Sequence, residues 1–143
     1  MSPKTIAMAT QRLMERGLKA NFVIADVSRM SLAEPCDAVI AYMRSFFTYV
    51  RHPLTVLKQL RPHIRKKIII DLEPRRTIGI KTAIDIMQKA GFENVRWRPF
   101  FVPEQKKLPP AVLKTLVACE DIPLLRRAPL RWKFQVLLKG EVN

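Results

Sequence analysis

The sequence predicts an α/β fold built on an open, mainly parallel sheet with an antiparallel C-terminal strand. Three observations carry that expectation. Short apolar runs alternate with helical stripes over the first two thirds of the chain. The inner runs are apolar at successive positions, as strands covered on both faces are. The last two runs instead alternate apolar with basic residues, the pattern of strands with one wetter face. A chain of 143 residues with 48% apolar content is long enough to bury a core of its own, and we expect a single domain over residues 1–143.

Taken in order, Ser2 and Pro3 read as an N-cap followed by proline at the first helical position; Ile6, Ala9 and Leu13 then share a face until Gly17 stops the helix. Asn21 to Asp26 is a short apolar run closed by an acid, read as a strand buried on both faces, and Asp37 to Tyr42 is a second. Pro53 to Leu60 predicts a helix with Leu57 and Leu60 turned inward. Lys67 to Leu72 is a third buried strand. Ile80, Ala83, Ile84 and Met87 form the next helical stripe, which Gly91 ends, with Phe92 placed for the apolar contact that accompanies such a stop.

From Asn94 to Phe101, Val95 and Trp97 oppose Arg96 and Arg98. The final strand sets Trp132, Phe134, Val136 and Leu138 against Lys133, Gln135 and Lys139. Between these two strands lies a proline-rich excursion, residues 103–131, with a short helix from Pro110 to Ala118. Its length marks it as a lid over a site or as a loosely ordered loop.

Charge is the unusual feature. Lys and Arg number 26 against 12 Asp and Glu, a formal +14, and such a field favours polyanions. The plain alternative is solvation of the surface. Arg61, Arg65, Lys66, Lys67, Arg75, Arg76, Arg126, Arg127 and Arg131 are candidates for a phosphate-binding surface, but aromatic residues are sparsely interleaved among them and no RNA-binding signature accompanies them. Cys36 and Cys119 lie far apart without companions at ligand spacing, so neither a disulfide framework nor a zinc site is expected. No apolar run reaches the length of a bilayer span. The first residues place charges where a signal peptide needs an apolar core, and the expected location is the cytoplasm.

In open α/β sheets ligands sit outside the carboxyl ends of the strands, which singles out Asp26, Val27, Tyr42, Met43 and Asp71. The chain here resembles the class I S-adenosylmethionine-dependent methyltransferases, as the later two thirds of that Rossmann-like fold. Ser2 through Arg12 is similar to the helix after the family's second strand, and Phe22 to Val27 to its third strand with a closing acid. Cys36-Asp37-Ala38-Val39 resembles the opening of the fourth, and Ala90-Gly91-Phe92-Glu93-Asn94-Val95 the step into the sixth.

The resemblance implies S-adenosylmethionine as cofactor, with Asp26, Val27 and Tyr42 on its adenosine side and Arg44, Tyr49 and Asp71 toward the methyl acceptor. It implies little acid–base catalysis, because that cofactor is already activated and the protein chiefly orients the reactants. The family's glycine-rich turn and ribose-binding acid have no counterpart here, where the glycines are Gly17, Gly79, Gly91 and Gly140. The implied object is a truncated or inactive methyltransferase-like domain, or half of a split enzyme. The alternative is a basic binding module for nucleic acid or an acidic protein.

Each candidate has a plain structural reading. Asp26 can cap its own turn through an Asx bond, Phe46 and Phe47 suit a core, and His52 and His63 read as exposed punctuation. Asp37 begins a strand and caps or solvates it. Asp71 and Glu73 either orient a substrate amine or hydroxyl or pair with Arg75 and Arg76. Lacking the family's first two strands, the Phe22–Asp26 and Asp37–Tyr42 strands are expected to pair directly, with a second chain filling the gap as the other solution.

Overall fold

The computed structural model describes residues 3–23, 25–29, 32, 34–42, 46–73, 78–100, 108–120, 122 and 135–143. They fall into two compact units, Met1–Met30 and Ser31–Asn143, and each is described by itself.

The first unit holds one helix, α1 (Pro3–Met14). Its end is a Schellman motif built on Gly17 at φ 65: the Leu18 N–H donates to the Leu13 carbonyl at 2.9 Å and the Gly17 N–H to that of Met14 at 3.0 Å. The expected strand at Asn21 to Asp26 does not form. Val23 is 79% exposed, and among the described residues no strand pairs with this run. An apolar run becomes a strand only where a neighbour accepts its backbone hydrogen bonds. Here the chain turns instead, the Arg29 N–H donating to the Asp26 carbonyl at 2.9 Å.

The second unit contains β1 (Cys36–Ala41), α2 (Phe46–Tyr49), α3 (Pro53–Leu60), a 3-10 turn at Arg61–His63, β2 (Ile64–Leu72), α4 (Ile80–Lys89), β3 (Glu93–Phe100), α5 (Pro110–Glu120) and β4 (Gln135–Glu141). The sheet order is β1-β2-β4-β3. β1 and β2 are parallel, with Val39 opposite Ile68 and Ala41 opposite Ile70. β4 runs antiparallel to both β2 and β3, so this is the α/β class the sequence predicts, with the antiparallel C-terminal strand inserted next to the parallel pair. Direct pairing of β1 with the Phe22–Asp26 run is overturned: among the described residues β1 pairs with β2 alone.

Strand parity gives the sheet two unequal faces. One carries Ile68, Ile70, Leu72, Val136 and Leu138, each with 0% exposure, against Phe46, Leu57, Ala83 and Met87, also 0%. The helices present those residues for simple reasons. Pro53 opens α3 at a position where its missing N–H costs nothing, and Val56, Leu57 and Leu60 fall on the inner stripe. In α4, Gly91 at φ 91 closes a second Schellman motif, in which the Phe92 N–H donates to the Met87 carbonyl at 3.1 Å. Phe92 is thereby buried against the sheet so closely that a Cβ on Gly140 would lie 2.9 Å from its own Cβ.

On the opposite face lie Ala38, Ile40, Lys67, Ile69, Asp71, Leu137, Lys139, Arg96 and Arg98. β1 is therefore not buried on both faces as expected: Ile40 is 68% exposed. Val95 and Trp97 do oppose Arg96 and Arg98, with a register shift between Glu93 and Arg96 and Asn94 at φ 48. Trp132, Lys133, Phe134 and most of the proline-rich excursion lie outside the described residues; its helix runs to Glu120, two residues past the expected end.

Candidate functional site at the strand carboxyl ends

β1 and β2 are parallel and end side by side, which brings Tyr42 and Asp71 to one end of the sheet. Parity puts both on the less covered face, together with Gln135 at the start of β4. The Tyr42 hydroxyl donates to Gln135 Oε1 at 3.1 Å, across the end of β2. Asp71 is 1% exposed and Gln135 6%. From the far side α5 contributes Glu120, 4% exposed, whose Oε2 lies 3.6 Å from the Arg98 guanidinium on β3.

The carboxyl end of the sheet thus gathers a carboxylate, an amide, a phenol and a buried acid paired with a partly exposed guanidinium, where ligands of open α/β sheets bind. Burying such groups is costly unless they are hydrogen-bonded, so their positions are fixed by the groups around them. Chemically the cluster can orient a donor such as an amine or hydroxyl. Among the described residues it holds no nucleophile–base pair, and no group of three His, Cys, Asp or Glu side chains gathers as a metal site.

Asp26 and Val27 belong to the Met1–Met30 unit. Asp26 Oδ1 accepts the Ser28 N–H at 2.9 Å, an Asx turn that uses one of its two oxygens. Tyr49 stands 72% exposed at the end of α2, while Phe46 and Phe47 turn into the core. Arg44 and Met43, along with Arg75 and Arg76, lie outside the described residues. His52 precedes α3 without capping it through its side chain. Sequence reasoning missed Gln135, Glu120 and Arg98. The available signal was Glu120 itself, an acid ending an otherwise uncharged apolar helical stripe apart from Lys114.

The opposite end is cationic. A shallow cavity of ≈ 270 Å³ is lined by Arg65, Lys66, Lys67, Lys139, Glu141 and Asn143, among others. Lys66 pairs with Asp37 at 2.7 Å and Lys139 with Glu141 at 2.6 Å. The hydrogen bond from Lys66, then its charge, holds the Asp37 carboxyl below its ordinary pKa. The bonds from Lys139 and then Asn94 do the same for Glu141.

No protein-family model and no curated protein sequence matches this chain. Solved structures do. An S-adenosylmethionine-dependent methyltransferase from Clostridium acetobutylicum aligns with 99% of the chain and 72% of its own length, at TM-score 0.62 and 8% identity. Magnesium protoporphyrin IX methyltransferase from Synechocystis, solved with its S-adenosylmethionine, aligns with 96% of the chain at TM-score 0.60 and 13% identity. The [4+2]-cyclase SpnF aligns with 99% at TM-score 0.60 and 18% identity. The chain spans only 52% of the Synechocystis enzyme and 63% of the cyclase. In the likeness of its sheet and helices to these solved structures, the chain has the fold of the class I S-adenosylmethionine-dependent methyltransferases.

Proposed function

We propose that this chain is a methyltransferase-like domain whose parent reaction is methyl transfer from S-adenosylmethionine. The observation that carries the reading is the likeness of nearly the whole chain to such enzymes, one of them solved with the cofactor. Fold does not fix reaction, and a cyclase shares this one. Asp26, Val27 and Tyr42 are assigned to the adenosine side of the cofactor, and Arg44, Tyr49 and Asp71 to the acceptor.

The residues present do not fit the whole cofactor. Gly17 and Gly91 are spent on helix ends at positive φ. Gly79 is the N-cap of α4, and Gly140 lies under Phe92. Gly79 lies between the carboxyl end of β2 and α4 but stands alone there, without the further glycines that a turn cradling the methionine group needs, so the 143 residues supply the adenine side at most. Amide NMR shifts on adding millimolar S-adenosylhomocysteine test this. Weak, saturable shifts centred on Asp26, Val27 and Tyr42 are expected. Shifts nowhere would remove the cofactor reading. Low-micromolar affinity by calorimetry would instead show that the site is complete. Where binding is measurable, Asp26→Ala should weaken it by about 1–3 kcal/mol through the lost hydrogen bond.

The cationic cavity favours a second reading, a binding module for nucleic acid or an acidic protein. Affinity for a polyanion should then fall linearly in log–log form as salt rises. A flat salt response would leave the charges as solvation.

A further inference from the structure

The less covered face of the sheet carries two anomalies in one place. The first is apolar. Across the β1–β2 register Ile40 sits beside Ile69, with Ala38 one step along, and Ile40 is 68% exposed. The second is charge. The same cross-strand row continues from Ile69 to Lys139 and on to Arg96, and Lys67, opposite Ala38, stands at the cationic cavity. Among the described residues Lys139 has Glu141 as its ion-pair partner, while Lys67 and Arg96 have no acid at ion-pair distance. An aliphatic centre is thus rimmed on one side by Lys67, Lys139, Arg96 and Arg65, with Glu141, opposite Lys67 in the register, as the one acid set among these four cations. Within the Ser31–Asn143 unit α3 and α4 cover the other face, and the described cover of this one is α5, which reaches β3 at Arg98.

Three occupants compete. A second copy of the chain would press one cationic face against another, each chain carrying a formal +14. Nucleic acid would satisfy Lys67, Arg96 and Arg65 but leave Ala38, Ile40 and Ile69 facing a sugar–phosphate chain, with aliphatic groups where bases need rings to stack on. A helix with an apolar stripe and flanking carboxylates answers both anomalies at once, apolar centre to apolar stripe and cationic rim to acidic flank.

We propose that this face, centred on Ile40 and Ile69 and rimmed by Lys67, Lys139 and Arg96, docks an acidic amphipathic helix of a second polypeptide. The proposal deepens the binding-module reading by naming a site and a partner class, and it uses none of the methyl-transfer chemistry.

The probe is a fluorescent helical peptide of roughly 18 residues, long enough to fold as a helix, with leucines at i, i+3, i+4 and i+7 spacing and glutamates on both flanks. A scrambled peptide of the same composition and a single-stranded RNA serve as comparators, all read by anisotropy against the full chain near ~0.15 M salt. The amphipathic peptide should bind about tenfold more tightly than the scrambled one, and Ile40→Asp and Lys67→Glu should each remove about tenfold, as central and rim contacts of an interface do. Lys81→Glu, an equal charge change on α4, should leave affinity within about twofold. Thermal midpoints establish that each variant is folded, and Ile40, being exposed, tolerates the change.

Equal binding of the scrambled peptide would overturn the site while leaving a general charge-driven module. RNA binding that is lost in Lys67→Glu but indifferent to Ile40→Asp would assign the face to nucleic acid. Self-association of the chain in sedimentation, abolished by Ile40→Asp, would assign it to a second copy.

Discussion

The two faces of the sheet are made by the same strands and do opposite things. On β2, Ile68, Ile70 and Leu72 are wholly buried, while the alternate positions run Lys67, Ile69, Asp71. On β1, Val39 and Ala41 are at least half-covered, but Ile40 between them is 68% exposed. Because side chains alternate with a period of two, one strand can give its even positions to stability and its odd positions to chemistry. The difference teaches that hydrophobicity alone is a poor guide to importance here: Ile40 and Ile70 are the same residue in neighbouring strands, and only one holds the fold together.

The sharpest way to break that comparison is to truncate both. Ile70→Ala should cost about 2–5 kcal/mol of stability, the range for a fully packed aliphatic side chain, while Ile40→Ala should stay within about 0.5 kcal/mol. Urea midpoints decide it, and comparable losses would mean that the second face is packed after all. A smaller effect is expected at Gly140, where an added Cβ would sit 2.9 Å from Phe92 Cβ and 3.0 Å from Met87 Cε. Gly140→Ala should cost about 1–3 kcal/mol by overpacking, whereas Gly79→Ala, meeting only Thr82 Oγ1 at 4.0 Å, adds no clash and should cost about 0.5–1 kcal/mol, the difference between glycine and alanine at a helix N-cap.

The smallest effect is the pH dependence of the charged end. Asp37 and Glu141 are held below their ordinary carboxyl pKa values by Lys66 and by Lys139 with Asn94. A carboxyl whose folded-state pKa is depressed adds stability that is complete above its unfolded value and is lost as pH falls through the folded one. The thermal midpoint should therefore begin to fall below about pH 4.5, more gently in an Asp37→Asn, Glu141→Gln double variant. Because both groups are exposed the difference is modest and shrinks with added salt. A double variant with an unchanged acid slope would show that these pairs contribute nothing.

How much of this was legible depends on whether the signal is local. α3 begins at Pro53 and ends at Leu60, the bounds its pattern implies, and both helix stops at Gly17 and Gly91 carry the expected positive φ, because caps and stripes are fixed within a few residues. The run at Asn21 to Asp26 has the composition of a strand, yet composition supplies no partner for its backbone. The same limit hides the insertion of β4 between β2 and β3, since strand order is settled by pairings between distant residues.

At the site, Tyr42 and Asp71 were legible as residues at strand ends. Gln135 and Glu120 were not, because each looks like solvated surface until the sheet and α5 enclose it. Alternation placed Gln135 opposite Val136 and Leu138, and parity agrees; what alternation does not give is whether that second face is wet, and at this end Gln135 is 6% exposed.

The place of β4 also sets a clock. Among the described strands it is made after the other three, and yet it lies inside the sheet, hydrogen-bonded on both edges. As the chain leaves a ribosome, β2 is finished at Leu72 while the strand that will sit beside it ends at Glu141. At about 5–20 residues per second that interval lasts roughly 3–14 s. For that time β2 presents an open backbone edge, joined by that of β3 once Phe100 is made, and the Ile68–Ile70 run has neither β4 nor α4 against it at the outset. A chain stopped between Phe100 and Gln135 holds the β1–β2 pair and β3 with no strand to join them, so the nascent chain depends on protection from aggregation until β4 has been made.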